Sequence, residues 1–250
     1  MNRPFRYAVG GGEVKENETT KFILPSLPSG QHYADAQLQD YQGSRRSYPW
    51  RPGAFMSLQA RFSHPVDALA GTAGFGFWNA PYGDPSALIP ALPQATWFFF
   101  ASPPNDLPFP RQSPGRGWFA GTVDASQPSA LVCAPLLFPV LLLNQLGPLR
   151  RRIWPWVQNR LGISFQPIEM RMTAWHEYEL RWLSDECEFR IDGEVVHKTR
   201  HSPRGPLGFV CWLDNQYLIL TPRGKIGAGR VPVPEPQWME IRDLELRAIE

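Results

Sequence analysis

The sequence predicts an all-β fold, a sandwich of two antiparallel sheets, and three observations carry that expectation. From Trp175 to Thr199 the chain reads WHEYELRW-LSDE-CEFRIDGEVVHKT: two runs of strict alternation joined by a short link. The second run turns on Asp192-Gly193, a dipeptide that tolerates the positive φ angles of a tight hairpin. Twenty-seven prolines in 250 residues are roughly double the ordinary usage of about 5%. Proline lacks an amide donor and fixes φ, which disfavours long helices. Ten tryptophans and fifteen phenylalanines supply core area, with enough left over to line a groove.

Taken in order, residues 1–30 read as an extended arm ending in the Pro-rich ILPSLPSG. Residues 31–250 then read as one domain. Candidate strands are Tyr33–Tyr41, Ala54–Phe62, Gly74–Asn79, Thr96–Ala101, Trp118–Asp124, Trp175–Leu183, Cys187–His197, Leu207–Asp214, Tyr217–Thr221 and Trp238–Arg247. Turn clusters such as NAPYGDPS, SPPND, RQSPGRG and SPRGP separate them. Short strands punctuated in this way are the pattern of a sandwich or jelly roll. Within the hairpin, alternation places His176, Tyr178, Leu180 and Trp182 on one face and Glu177, Glu179 and Arg181 on the other.

One segment departs from the β pattern. Leu131–Leu143 (LVCAPLLFPVLLL) is almost wholly apolar, and PLRRRIWPWVQNRLG follows it. The run is shorter than the ~20 residues that a membrane-spanning helix needs. Leu149, Ile153, Trp156, Val157 and Leu161 recur at helical spacing, Pro148 suits a first helical turn, and Pro155 argues for a kink. A short helical insertion is expected near 130–165. It either packs on the sandwich or acts as a lid or peripheral membrane contact through 131–161. In the second case Leu141, Leu142, Ile153, Trp154 and Trp156 are the contact residues.

A formal charge of +2 provides no basic stripe, so nucleic acid is not an expected partner. Three scattered cysteines, Cys133, Cys187 and Cys211, argue against a disulfide-built secreted domain. No apolar run follows the basic N-terminus, so no signal peptide is expected. The expected location is cytoplasmic, with or without peripheral attachment to a membrane.

The strand pair WHEYELRW…FRIDGEVV resembles the hairpin of concanavalin A-like jelly rolls, especially the laminarinase-type glycoside hydrolases of family 16. In these a Trp-His-x-Tyr strand precedes a strand that ends in Asp-Gly. The closing strand WMEIRDLELR and the aromatic strand GFGFWN at 74–79 resemble others of that sandwich. The resemblance implies the fold and a carbohydrate ligand. Its catalytic strand, Glu-x-Asp-x-Glu, sets two carboxyls about 5–5.5 Å apart for retaining hydrolysis, and no segment here matches it. Glu240, Asp243 and Glu245 have the residue types, but simple alternation puts Glu240 and Asp243 on opposite faces. None of the family's catalytic residues is therefore carried over.

Other constellations read as structural. Glu177, Glu179, Glu186 and Glu188 alternate with apolar positions beside Arg181 and Arg190, as exposed ion pairs do. His197 and His201 approach Pro203 as solvated loop histidines without a third ligand, so no metal site is expected. Ser63-His64 with Asp67 is too local for a catalytic triad, and GKIGAGRVPVP runs into prolines instead of a helix, so it is no phosphate cradle. No cofactor is expected.

The site candidates are polar groups on strand faces that should be apolar. In LGFVCWLDNQ, Trp212, Asp214 and Gln216 share a face, with Asn215 at the strand end. Tyr33, Asp35, Gln37, Gln39 and Tyr41 share a face, as do Ser57, Gln59 and Arg61. Trp78, Asn79 and Trp97 mark two aromatic strands. If these faces converge on the concave sheet they form an aromatic groove with polar anchors, the composition of a ligand site. An indole stacks on a sugar ring while amides and carboxylates bond its hydroxyls. A carboxyl in an apolar pocket is also a proton donor near neutral pH. Two functional expectations follow: carbohydrate or glycoconjugate binding, with or without processing, and an intracellular enzyme or carrier for a lipid or isoprenoid. Asp214 or Asp40 supplies the proton in the second. A scaffolding role for the insertion is a third.

Overall fold

The computed structural model describes residues 4–41, 48–81, 91–108, 115–132 and 136–249. Cys133 and parts of two predicted turn clusters, 82–86 and 111–114, lie outside the described residues. The chain opens with β1 (Phe5–Val9), β2 (Glu13–Glu16), β3 (Thr20–Leu24), β4 (Asp35–Gln39), β5 (Ala54–Phe62) and β6 (Thr72–Trp78). It continues through β7 (Gln94–Ala101), β8 (Gly117–Asp124), the helices α1 (Pro128–Val132), α2 (Leu137–Leu143) and α3 (Gly147–Arg160), and β9 (Ser164–Pro167). Then come β10 (His176–Trp182), β11 (Cys187–Ile191), β12 (Glu194–Thr199), β13 (Gly208–Asp214), β14 (Gln216–Leu220), β15 (Ile226–Arg230) and β16 (Gln237–Ala248).

Two seven-stranded sheets stack face to face. Their orders are β1-β4-β13-β6-β7-β8-β9 for the first sheet and β12-β11-β10-β5-β16-β3-β2 for the second, with β14-β15 as a separate hairpin. The predicted hairpin is present, with Tyr178 opposite Ile191 and Trp182 opposite Cys187. Asp192 (φ 51°) and Gly193 (φ 81°) both take the left-handed conformation that a two-residue turn between twisted strands requires. Tyr178, Leu180 and Trp182 are fully buried, whereas Glu177 and Arg181 are exposed.

The inner faces meet in a core of aromatic rings. Tyr178 packs edge-on against Phe75 and Phe98 at 4.9 and 5.0 Å, and Phe98 meets Phe189 at 5.4 Å. Each such side chain contributes ~1.5–3 kcal/mol by leaving water. The edge-to-face pairings add about 0.5–1.5 kcal/mol apiece.

Of residues 1–30, expected as an arm, the strands between Phe5 and Leu24 are built into both sheets. β1 pairs with β4 in the first sheet, while β2 and β3 extend the second along β16. Phe22 and Leu24 are wholly buried, so this segment closes one end of the core. His197, expected in a solvated loop, lies on β12, where it stacks on Phe189 and bonds Ser164 on β9 at 3.0 Å. A second departure lies in β16. Asp243 takes φ 55° at a bulge, so Leu244 and Leu246 turn toward the core as Met239 and Ile241 do. Simple alternation fails there: Glu240, bound by Arg61 at 2.7 Å, and Asp243, bound by Gln59 at 3.2 Å, both lie on the outer side of the second sheet.

Candidate functional site

The outer face of the first sheet carries the candidate site, and the alternation of β6 explains it. In TAGFGFW, Phe75 and Phe77 point into the core while Gly74 and Gly76 present bare backbone on the other side. Register sets Trp212 beside Gly74 and Trp97 beside Gly76. A Cβ at Gly74 would stand 2.8 Å from the Trp212 ring, and one at Gly76 would stand 2.7 Å from the Trp97 Cβ. The two glycines are a shelf on which indoles lie across the strand.

On that shelf Trp212 is in ring contact with Trp78 (6.4 Å, nearly parallel), Trp97 (5.6 Å) and Phe99 (5.7 Å). Polar groups fix the rim. The Trp78 indole N–H donates to the Tyr41 hydroxyl at 2.7 Å, and Gln37 donates to Gln39 and, at 3.4 Å, to the Tyr41 hydroxyl. Tyr48 donates to the Asn79 carbonyl at 2.6 Å. Trp78, Trp97, Gln37 and Gln39 are half-buried, but Trp212 is only 7% exposed, covered in a cluster with Leu107, Val210 and Leu218.

Beside the aromatic floor lies a pair of carboxyls. β4 and β13 are antiparallel, and Asp35 stands directly opposite Asp214 on the same face, where Cβ atoms are about 4.5–5.5 Å apart. Both side chains are almost wholly buried. The Thr72 hydroxyl donates to Asp214 Oδ1 at 2.8 Å and accepts from the Trp212 indole N–H at 2.9 Å. The Gln216 amide also donates to Asp214 Oδ1 at 3.0 Å, and Tyr33 donates its hydroxyl to Asp35 Oδ2 at 3.0 Å. Asp35 Oδ1 has no partner among the described residues. Burial, and then the neighbouring Asp214 charge, hold the Asp35 carboxyl well above the usual range, against the Tyr33 bond. Burial likewise raises Asp214, opposed by its bonds from Gln216 and Thr72. The pair keeps a proton where isolated carboxyls have lost theirs.

No protein-family model matches the sequence, and no curated protein matches it. Solved structures do. An endo-β-1,4-glucuronan lyase from the fungus Trichoderma reesei superposes with TM-score 0.52, covering 100% of this chain and 96% of its own at 12% identity. The carbohydrate recognition domain of Emp47p gives TM-score 0.50 over 98% of this chain and 89% of its own at 11% identity. A structure from work on mucin-degrading O-glycanases of the human gut microbiota gives TM-score 0.50 over 97% and 85% at 12% identity. The fold is a concanavalin A-like jelly roll. At these identities the likeness is one of fold; chemistry has to be read from this chain's own residues.

The jelly roll brings only part of the predicted site together. Trp212, Asp214, Tyr33, Asp35, Gln37, Gln39, Trp78 and Trp97 lie on or beside one outer face. Gln59 and Arg61 do not join them. They lie on β5 in the second sheet, where Gln59 bonds Arg242 and Arg61 bonds Glu240 and covers Trp175 at 4.7 Å. Asn79 and Asn215 have the right place but no free polar atoms. Asn79 is tied to Gln94 and Leu92, and Asn215, fully buried, to Ala34, His32 and Val231. Gln216 starts β14 and is exposed, so it no longer shares the Trp212 face. Asp40 is a structural latch: its oxygens accept the Trp50 indole N–H at 2.5 Å and the Phe209 amide at 2.8 Å. Burial raises that carboxyl to about 6.

Among the described residues the insertion forms three helices, with Pro155 inside α3. Trp154, expected at a membrane or lid surface, is buried, and Gln158 one turn on is buried and donates to the Pro108 carbonyl at 3.0 Å. The α3 face bearing them docks on the sandwich next to Leu107 of the aromatic cluster. Leu142 and Trp156 remain exposed, and Leu141 and Ile153 are half-buried.

Proposed function

We propose that the outer face of the first sheet binds a carbohydrate or glycoconjugate, with the half-buried Trp78 and Trp97 rings as its stacking platform. The observation that carries this reading is the pair of partly open indoles next to the Gln37 and Gln39 amides: Trp97, laid on the glycine shelf, and Trp78 beside it at 5.9 Å. Aromatic planes edged by amides suit a sugar, which offers an apolar ring face and a rim of hydroxyls. Trp212, covered by its neighbours, supports the platform from below. The solved structures of the same fold include a glucuronan lyase and a carbohydrate recognition domain, which agrees with a glycan ligand. The Asp35–Asp214 pair is the proton source that such a site has for processing.

Glycan-array screening of the whole chain, followed by calorimetry on the best ligand, tests the reading. Trp97→Ala and Trp78→Ala should each weaken binding about tenfold or more, since truncating an indole at a binding hot spot costs ~2 kcal/mol. Unchanged affinity in both variants refutes the platform. One observation favours the second reading, a lipid or isoprenoid ligand: the floor around Trp212 is closed by Leu107, Val210 and Leu218, all apolar. Quenching of indole fluorescence by a fatty acid, with no glycan bound, would select it.

A further inference from the structure

The insertion and the β14–β15 hairpin meet in one exposed tip. Asn144 donates to the Pro222 carbonyl at 3.0 Å and Gln145 to the Arg223 carbonyl at 2.9 Å. The Leu141 side chain lies 3.4 Å from where a Cβ at Gly224 would stand. Around this joint Leu142, Leu143 and Leu146 are 55, 42 and 58% exposed, and Ile226 across the hairpin is 76% exposed. The same insertion buries Trp154, so these aliphatic chains are among those its docking leaves in water. A cluster of this kind marks an interaction surface.

Charge indicates what covers it. Arg150, Arg151, Arg152 and Arg160 lie on α3, and Arg223 and Lys225 at the hairpin turn. Residues 125–168 and 215–234 contain no Asp or Glu, although the whole chain has 23 acidic residues against 25 Lys and Arg. The tip therefore pairs exposed leucines with cations that form no ion pair among the described residues, the composition of an interfacial element that sinks aliphatic chains into the acyl boundary and sets cations among phosphates. A second copy of the chain fits poorly, because a two-fold contact through this face would bring like charges together. Among the described residues no helix is long and apolar enough to cross a membrane.

We propose that this tip attaches the protein peripherally to an anionic lipid surface. The proposal goes beyond the glycan reading and does not depend on it. Flotation of the full chain with phosphatidylcholine vesicles, with and without phosphatidylglycerol, tests it. Binding is expected only to the anionic vesicles and should weaken with salt. Replacing Arg150, Arg151 and Arg152 together with Gln should weaken it on the order of 100-fold, about fivefold for each basic residue. Leu142→Ser with Leu146→Ser and Ile226→Ser should abolish it. All these side chains are outside the core, so a far-UV circular dichroism spectrum like the parent's is expected. No flotation with either vesicle, equal flotation with both, or flotation untouched by both variant sets overturns the proposal. So does a dimer that the serine variants disperse. Trp97→Ala should leave flotation unchanged, which separates failure here from failure of the glycan site.

Discussion

Replacing Thr72 with Val removes one hydroxyl and little volume, yet it cuts the link between the indole floor and the carboxyl pair. That hydroxyl accepts from the Trp212 N–H at 2.9 Å and donates to Asp214 at 2.8 Å, and all three side chains are buried. Without it the Trp212 donor loses its one acceptor among the described residues, a cost of ~1–3 kcal/mol at any pH. The bond to Asp214 matters chiefly when that carboxyl is ionised, where hydrogen bonds to charged groups are worth about 1.5–3 kcal/mol. The sign follows from the raised carboxyls. The folded chain keeps protons that the unfolded chain has released, so its stability falls as pH rises above the ordinary carboxylate range. Losing the Thr72 bond raises Asp214 further and steepens that fall. Urea unfolding followed by circular dichroism should show Thr72→Val destabilised by about 2 kcal/mol in acid and about 4 kcal/mol in the neutral range. These are large fractions of a domain's ~5–15 kcal/mol. A loss that is equal at all pH values, or below about 0.5 kcal/mol throughout, would refute the hydroxyl's bridging role.

Two more outcomes follow from the same geometry. Asp35→Asn keeps an acceptor for Tyr33 but removes one titrating group beside Asp214. Its unfolding free energy in urea should fall less with rising pH than the parent's, by up to about 1.4 kcal/mol per pH unit for a full proton; parallel curves would show that the carboxyls do not share a proton. Asp40→Ala leaves the buried Trp50 and Phe209 N–H groups unpaired and should cost about 2–5 kcal/mol in thermal unfolding, with glycan affinity unchanged. Loss of binding or activity at full stability would instead restore Asp40 to a chemical role.

Strand existence was legible because alternation is a local property. WHEYELRW needs only its own sequence to show which residues face inward, and Asp192-Gly193 needs only its own torsional freedom to turn. The N-terminal strands escaped notice because FRYAV and EVKE carry little apolar alternation and are held by their partners, β4 and β3. The bulge at Asp243 likewise hides from any count by twos, since one inserted residue exchanges the faces beyond it.

The site divides along the same line. Sequence by itself determined that Gln37, Gln39, Trp212 and Asp214 stand on the side of their strands away from Leu38 and Leu213. It could not say that Gln59 and Arg61 belong to the other sheet, because alternation assigns a face within a strand but no neighbour to the strand. Tertiary structure decided that Asp35 meets Asp214, that Trp212 is roofed by Leu107 and Leu218, that Asp40 is committed to the Trp50 indole and the Phe209 amide, and that Asn215 is committed to backbone. Each of these is a contact between residues far apart in the chain, and such contacts depend on how strands are ordered and registered, which only the packing of the whole core specifies.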